Sequence, residues 1–477
     1  MHVWEWETFE EVVNSAACSV TNPGPLRAPI DSLSIRRDEE RGLILATTCP
    51  GNASSSVKPY PAGTVRRSDD IIEFATLTGF TAVARGVTPR HWNRLQSLQT
   101  GSDITKEESS LHSLILKSQH GGNPHYTIEW IDNFDAESFS WFGNITDKST
   151  SVDTRVLGKG DDAITLKSTS TGQSGGTSCR KLNVGDMELY LGASVSGLPK
   201  ILVKPGFILY RGVPDEETRE KVRNCVSFAL GNYLVYLGCT VLDEACHAVS
   251  MTAVNADRHD RIFKVAVLPP APLENRYERE VDPIRFSRLV NALYAKYDEL
   301  QFGHLSWAYW HAVCAPTHNA AAQFGAGVEA LQGAYIEAHP GEFQTKLVDD
   351  KRNWQQVQSK LIDIIKAAGF ATDVETVFTN KITGLNSVPT SKLSEQVFNH
   401  LGIRMGDLEK KAWKERHMAA HGDLTSADPI ATIKNTKLLK LLFHRLLLKM
   451  TNGSDEYRDY YTLNFPKRKL EDPVAQP

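Results

Sequence analysis

Arg416, His417 and His421 are the residues whose types and spacing could carry chemistry. They sit in Glu415-Arg416-His417-Met418-Ala419-Ala420-His421-Gly422-Asp423, closing a run of helix formers that begins near Met405. Arginine stays protonated and offers a rigid fork of donors suited to phosphate. Histidine takes or gives a proton near neutral pH. Cleaving an RNA strand needs a base for the 2′-hydroxyl, an acid for the leaving 5′-oxygen, and positive charge on the phosphorane between them. Histidine supplies the proton transfers and arginine the fixed charge, with no metal required. The products would be a 2′,3′-cyclic phosphate and a 5′-hydroxyl.

Geometry limits this reading. Side chains five positions apart on an ideal helix point about 140° apart. Convergence needs a frayed helix end at Gly422 or a second subunit bringing its own copy. The competing reading makes Arg416 and His417 surface residues and His421 a helix C-terminal cap, where a cation is favoured. A third reading uses His417 and His421 as zinc ligands on one helix face. Such pairs usually carry glutamate after the first histidine, and Met418 stands there instead. Asp423 lies beyond the glycine, so no third ligand is evident. The expectation is no metal and no cofactor.

The elements that must position these residues divide the chain. A length of 477 residues predicts two domains. A hydrophobic share of 41% with 23% charged residues is that of a soluble globular protein. A net charge of −4 excludes a generic nucleic-acid sponge, so any such contact must be local. Seven scattered cysteines without a Cys-x-x-Cys pair predict a reducing cytoplasm rather than a disulfide framework. The acidic, aromatic start and the lack of a long apolar run predict neither a signal peptide nor a membrane span.

Short β-branched runs at Gly42–Thr47, Asp70–Leu77, Thr127–Ile131, Ala163–Leu166, Met187–Leu191 and Ile201–Val203 predict an antiparallel β-rich domain. The Ser/Thr/Gly stretch Thr169–Thr177 reads as a loop, and Phe139–Phe142 as aromatic core. A helix is predicted after Pro214 and a strand near Val265. A Pro-rich exit at Leu268–Pro272 then leads to a helical domain, giving boundaries of 1–280 and 281–477. Helical periodicity marks Ile284–Tyr297, Leu305–Val313, Gln323–Glu337, Trp354–Ala368, Ser391–Leu401, Met405–His421 and a last helix from Asp428-Pro429. The fold class is therefore α+β in two domains.

Other candidates carry bland readings beside sharper ones. Trp307, Tyr309 and Trp310 could stack bases, or pack a core. Gly158-Lys159-Gly160 lacks the spacing of a phosphate loop and reads as a turn. Cys225, Cys239, Cys246 and His247 have no ligand spacing, and the cysteines read as buried thiols. Lys467-Arg468-Lys469 could touch an RNA backbone or be a solvated tail.

Arg416-His417-x-x-x-His421 near a helix end, followed by Gly422-Asp423 and a Leu-rich final helix, resembles the HEPN domain (higher eukaryotes and prokaryotes nucleotide-binding). Lys381–Asn386 leading into Ser391-Lys392-Leu393 is similar to the subgroup in ApeA-type phage-defence proteins, where a β-rich domain precedes the HEPN bundle. The resemblance covers roughly Pro283 to Met450, and more loosely the first half. It implies a metal-independent endoribonuclease acting as a HEPN–HEPN homodimer. RNA would be the substrate, a phage-derived trigger would act at the N-terminal sensor, and abortive infection would be the outcome. Arg416 and His421 would match the family's catalytic pair, and His417 its polar residue, often asparagine. An early-helix acid, Glu329 or Glu337, would orient the motif. Many HEPN domains are silent, so the alternative is a module that binds RNA or a partner protein.

Overall fold

The computed structural model describes residues 9–14, 18–54, 70–96, 103–134, 142–157, 164–177, 179–193, 204–256, 271–273, 282–420 and 428–474. The chain divides into two compact units, Met1–Tyr294 and Ala295–Pro477. The first is β-rich and antiparallel, the second helical.

The first unit is built from β1 Cys18–Asn22, β2 Ser32–Arg37, β3 Leu43–Pro50, β4 Ile71–Thr76, β5 Phe80–Arg85, β6 Thr88–Gln96, β7 Asp103–Leu111 and β8 Ser113–Ser118. There follow β9 Pro124–Asp132, β10 Phe142–Leu157, β11 Ile164–Thr177, β12 Cys179–Val184, β13 Met187–Ala193 and β14 Gly206–Arg211. Helix α1, Glu216–Leu230, precedes β15 Val235–Asp243 and β16 Ala248–Val254, and α2 spans Pro283–Ala295. One sheet has ten strands in the order β1-β4-β5-β8-β16-β15-β9-β14-β13-β12, and a second has four, β2-β3-β7-β6.

Alternation builds the core. Side chains along a strand point to opposite faces, and β4 follows that period, every second residue being buried. Leu33, Ile35, Leu43 and Leu45 of the small sheet meet Phe74, Leu114, Leu116 and Trp130 of the large one in a single core. Trp130 fits because Gly238 lies beneath it: at φ 152°, a Cβ there would stand 2.1 Å from the Thr252 carbonyl oxygen. Strand β9 is buried on both faces at its C-terminal end. Glu129, next to Trp130, therefore points to the other face, where α1 lies. Glu129 accepts hydrogen bonds from Arg219 Nε at 3.0 Å, from the Tyr210 hydroxyl at 3.1 Å and from Arg223. Arg223 also stacks on Tyr236 at 4.1 Å. This fully buried carboxylate, shared by two arginines, fastens α1 to the sheet.

Strands β10 and β11 pair with each other as a two-stranded ribbon. Thr169–Thr177 is thus strand rather than loop. Cross-strand pairs such as Thr171 with Thr150 and Thr169 with Val152 give those residues the β partners that their composition conceals. The predicted strands at Ile201–Val203 and near Val265, most of Phe139–Phe142, and Gly158-Lys159-Gly160 lie outside the described residues.

The second unit comprises α3 Phe302–Cys314, α4 Thr317–Ala338, α5 Lys351–Ala367, α6 Thr372–Gly384, α7 Thr390–Leu401, α8 Asp407–Ala420 and α9 Pro429–Thr451. A short hairpin, β17 Glu456–Arg458 and β18 Lys467–Lys469, follows. Helix α9 opens with an Asp428 cap and a proline in its first turn. It then buries Leu438, Leu439, Leu442, Phe443, Leu446 and Leu447, which makes it the centre of the unit. Helix α5 buries no residue. Among the described residues no helix is long and apolar enough to cross a membrane.

Candidate active site

Helix α8 carries Arg416 and the backbone of His417, and its start is locked. Glu409 Oε2 accepts from Gly406 N at 2.9 Å, the reach-back of a capping box. Its Oε1 accepts from Arg445 Nη1 at 2.6 Å. Glu409 and Arg445 are 1% and 0% exposed, and Arg445 also donates to the carbonyls of Leu470 and Arg404. A buried pair is tolerable only when its remaining donors and acceptors are satisfied in this way. The pair ties α8 to α9 and to the C-terminal segment.

Two turns along the same face, Arg416 packs on α4. Its side chain lies across Gly325, where a Cβ would stand 2.9 Å from Arg416 Cδ and 3.1 Å from its Cβ. One turn further along α4, Glu329 Oε1 accepts from Arg416 Nη2 at 2.6 Å and from Nε at 3.1 Å. Arg416 Nη1 donates to the Trp413 carbonyl, and the guanidinium lies 3.5 Å from the centre of the Trp413 ring. Gly325 and Glu329 thus form a slot: one leaves room for the stem, the other takes the charged head. Arg416 is 7% exposed, whereas the Glu329 side chain is 35% exposed. The pair is dry at the cation and wet at the carboxylate.

The structure brings Arg416 and Glu329 together. The backbone of His417 is on α8, one turn beyond Trp413, but its side chain is outside what is described, and His421 lies outside the described residues. Glu337 is elsewhere on α4 and accepts from Gln301 Nε2 at 3.2 Å. Trp413 and Gly325 were not singled out by sequence reasoning. The i, i+3 spacing of Trp413 and Arg416, and a glycine inside a helix, were the available signals.

The remaining candidates are also placed. Tyr309 and Trp310 are core residues, each 2% exposed. Trp307 is open, with the rings of His304 and His311 beside it. Tyr309 shares a hydrogen bond of 2.9 Å with Nε2 of the fully buried His444. Burial, and then the charge of Lys440, hold the His444 pKa well below the usual histidine value. Cys225 and Cys239 are buried, while Cys246 is only half-buried, at a turn with φ 62°. Arg468 donates from Nε to the buried Asp459 at 2.7 Å, so the tail is a folded hairpin. Among the described residues no group of three or more His, Cys, Asp or Glu is placed to hold a metal ion.

Between α7 and the start of α8 lies a groove of about 690 Å³, with Trp413 in its wall. Comparison of the chain with protein-family models, with curated proteins and with solved structures gave no match in any of the three.

Proposed function

We infer that the helical unit is a metal-independent endoribonuclease of HEPN type, working in anti-phage defence, with the β-rich unit as its sensor. The observation that supports this reading is the fixing of Arg416. A guanidinium held by Glu329, Gly325 and Trp413 at the end of α8 is a preorganised charge next to two histidines in sequence. Such charge stabilises a phosphorane once a phosphate has taken the place of Glu329 on the guanidinium. The motif histidines, His417 and His421, act as base and acid: one takes the 2′-hydroxyl proton and the other returns a proton to the 5′-oxygen. Glu329 spends Oε1 on both bonds from Arg416, so its Oε2 is the acceptor that orients an imidazole N–H. A second copy of the unit completes the seam along which RNA lies.

A second reading has an observation of its own. Arg416 is almost fully buried, with Nε, Nη1 and Nη2 all engaged, which suits a structural arginine in a silent module that binds RNA or a protein. One experiment separates the two. Purified protein is incubated with total RNA in EDTA, alongside Arg416→Ala and His421→Ala variants shown to be folded. Cleavage that survives chelation and disappears in both variants supports the nuclease. Binding without cleavage supports the module, and cleavage abolished by EDTA points to a metal enzyme.

A further inference from the structure

The cleavage chemistry above leaves the groove between α7 and α8 unused. Its volume of about 690 Å³ falls within the roughly 300–1,000 Å³ of small-ligand sites. Its wall mixes Trp413 with the polar Ser391, Glu395 and Asn399 and the cations Lys410 and Arg404. Arg404 is already paired with Asp472 at 2.5 Å. Lys410 makes no ion pair among the described residues, which leaves it as the charge the groove can offer. Trp413 is half-buried, with the Arg416 guanidinium against its ring. A partly open ring beside an uncommitted cation is the pairing that single-stranded nucleic acid uses, base on ring and phosphate on ammonium. Ser391, Asn399 and Glu395 supply acceptors, and a carboxylate can take the amino group of a base. An acidic peptide would use Lys410 but would face Glu395. Lys410, Trp413 and position 417 follow one another at spacings of three and four, so they share one side of α8.

We propose that this groove holds one nucleotide of a single-stranded RNA, its base on Trp413 and its phosphate at Lys410, with the strand running along α8 toward position 417. The proposal rests on reading the helical unit as RNA-handling, but it needs no cleavage. It is therefore tested with a labelled 2′-O-methyl oligoribonucleotide of about ten nucleotides, within the span such sites cover. That strand lacks the attacking hydroxyl and cannot be cut. Fluorescence anisotropy is measured with the full chain in EDTA over a range of salt. Two variants leave Arg416 untouched: Asn399→Trp, which fills the groove, and Lys410→Gln on the exposed surface. Unchanged circular-dichroism melting checks the fold of each.

The wild type is expected to bind. Asn399→Trp is expected to weaken binding about tenfold or more, as loss of a stacked base does. Lys410→Gln is expected to flatten the slope of log affinity against log salt by about 0.7, the value for one phosphate contact on a single strand. No binding by the wild type, unchanged affinity in Asn399→Trp, or an unchanged slope in Lys410→Gln each overturns the proposal. A free 5′-nucleoside monophosphate that binds where the strand does not also overturns it. The nuclease reading stands or falls separately. Binding lost in the variants while the wild type cuts no unmodified RNA keeps the groove and discards the nuclease. Wild-type cutting with binding unaffected by either variant does the reverse.

Discussion

Removing the Glu329 carboxylate tests how Arg416 is held. Stranding one partner of a buried pair costs roughly 3–5 kcal/mol. Here the cation is dry but the carboxylate side chain is 35% exposed, so solvent screening reduces the figure to about 2 kcal/mol. Glu329→Ala is therefore expected to loosen α8 locally by that amount, a rise of about 30-fold in opening, at 1.36 kcal/mol per factor of ten. Arg416→Ala removes the charge as well as its packing on Gly325 and Trp413. The double variant leaves no stranded charge, so its cost should fall short of the sum of the singles by about 1 kcal/mol or more. Amide hydrogen exchange read on peptides from Asp407–Ala420 reports this local opening in the full chain, where a global melting point would mix two units. Glu329→Gln keeps one acceptor and should lie between wild type and alanine. Strict additivity, within about 0.3–0.5 kcal/mol, would refute the argument that this pair holds the arginine.

Three further outcomes follow from the same geometry. Gly325→Ala places a methyl 2.9 Å from Arg416 Cδ, so any gain in helix propensity, up to about 1 kcal/mol, is lost to displacement of the arginine; faster exchange in α8, and lower cleavage where cleavage is seen, are expected. Glu409→Ala strands Arg445 at 0% exposure and should cost about 3–5 kcal/mol, with residues 470–474 becoming open to limited proteolysis; an unchanged digestion pattern would contradict the lock. His444 is neutral in the fold, because burial depresses its pKa well below the ordinary value of 6.5. The unfolded chain therefore binds the extra proton first, and stability is present above about pH 6.5. It falls as the pH drops below that, by up to about 1.4 kcal/mol per unit until the depressed pKa is reached. His444→Gln should flatten this part of a melting-temperature profile against pH.

The legible parts of this chain were those governed by local pattern. Apolar runs such as Leu43-Ile44-Leu45 and the Leu-rich stretch of α9 are buried at nearly every position, and the structure has strand and helix there. Thr169–Thr177 was not legible, because Ser and Gly lower β propensity and only the facing strand β10 supplies partners. Helix α6 was not foreseen, since Thr372–Gly384 is broken by β-branched threonines and buries only Ile382. The tail looked unstructured because Asp459 organises it by hydrogen bonds to Tyr461 N, Thr462 N and Arg468, which leave no hydrophobic period. At the site, arginine and glutamate are visible as chemistry. The room they need comes from Gly325, whose meaning lies in what approaches it across the helix pair.

A buried, paired arginine need not be an idle one. Under the proposed reading, a phosphate arriving at Arg416 exchanges with the Glu329 carboxylate. One anion replaces another, so the guanidinium is never left uncompensated in a dry site, which is the step that would carry the large penalty. The released carboxylate already has about a third of its side-chain surface in water, so Oε1 hydrates with little movement while Oε2 keeps the imidazole N–H. Trp413 keeps the guanidinium plane in place during the swap, since its ring contact does not depend on which anion is bound. Glu329→Gln then separates the two uses of the arginine. With a weaker resting partner, a catalytic Arg416 should bind the 2′-O-methyl strand more tightly, because there is less to displace. A purely structural Arg416 should show looser helix packing and no gain in affinity.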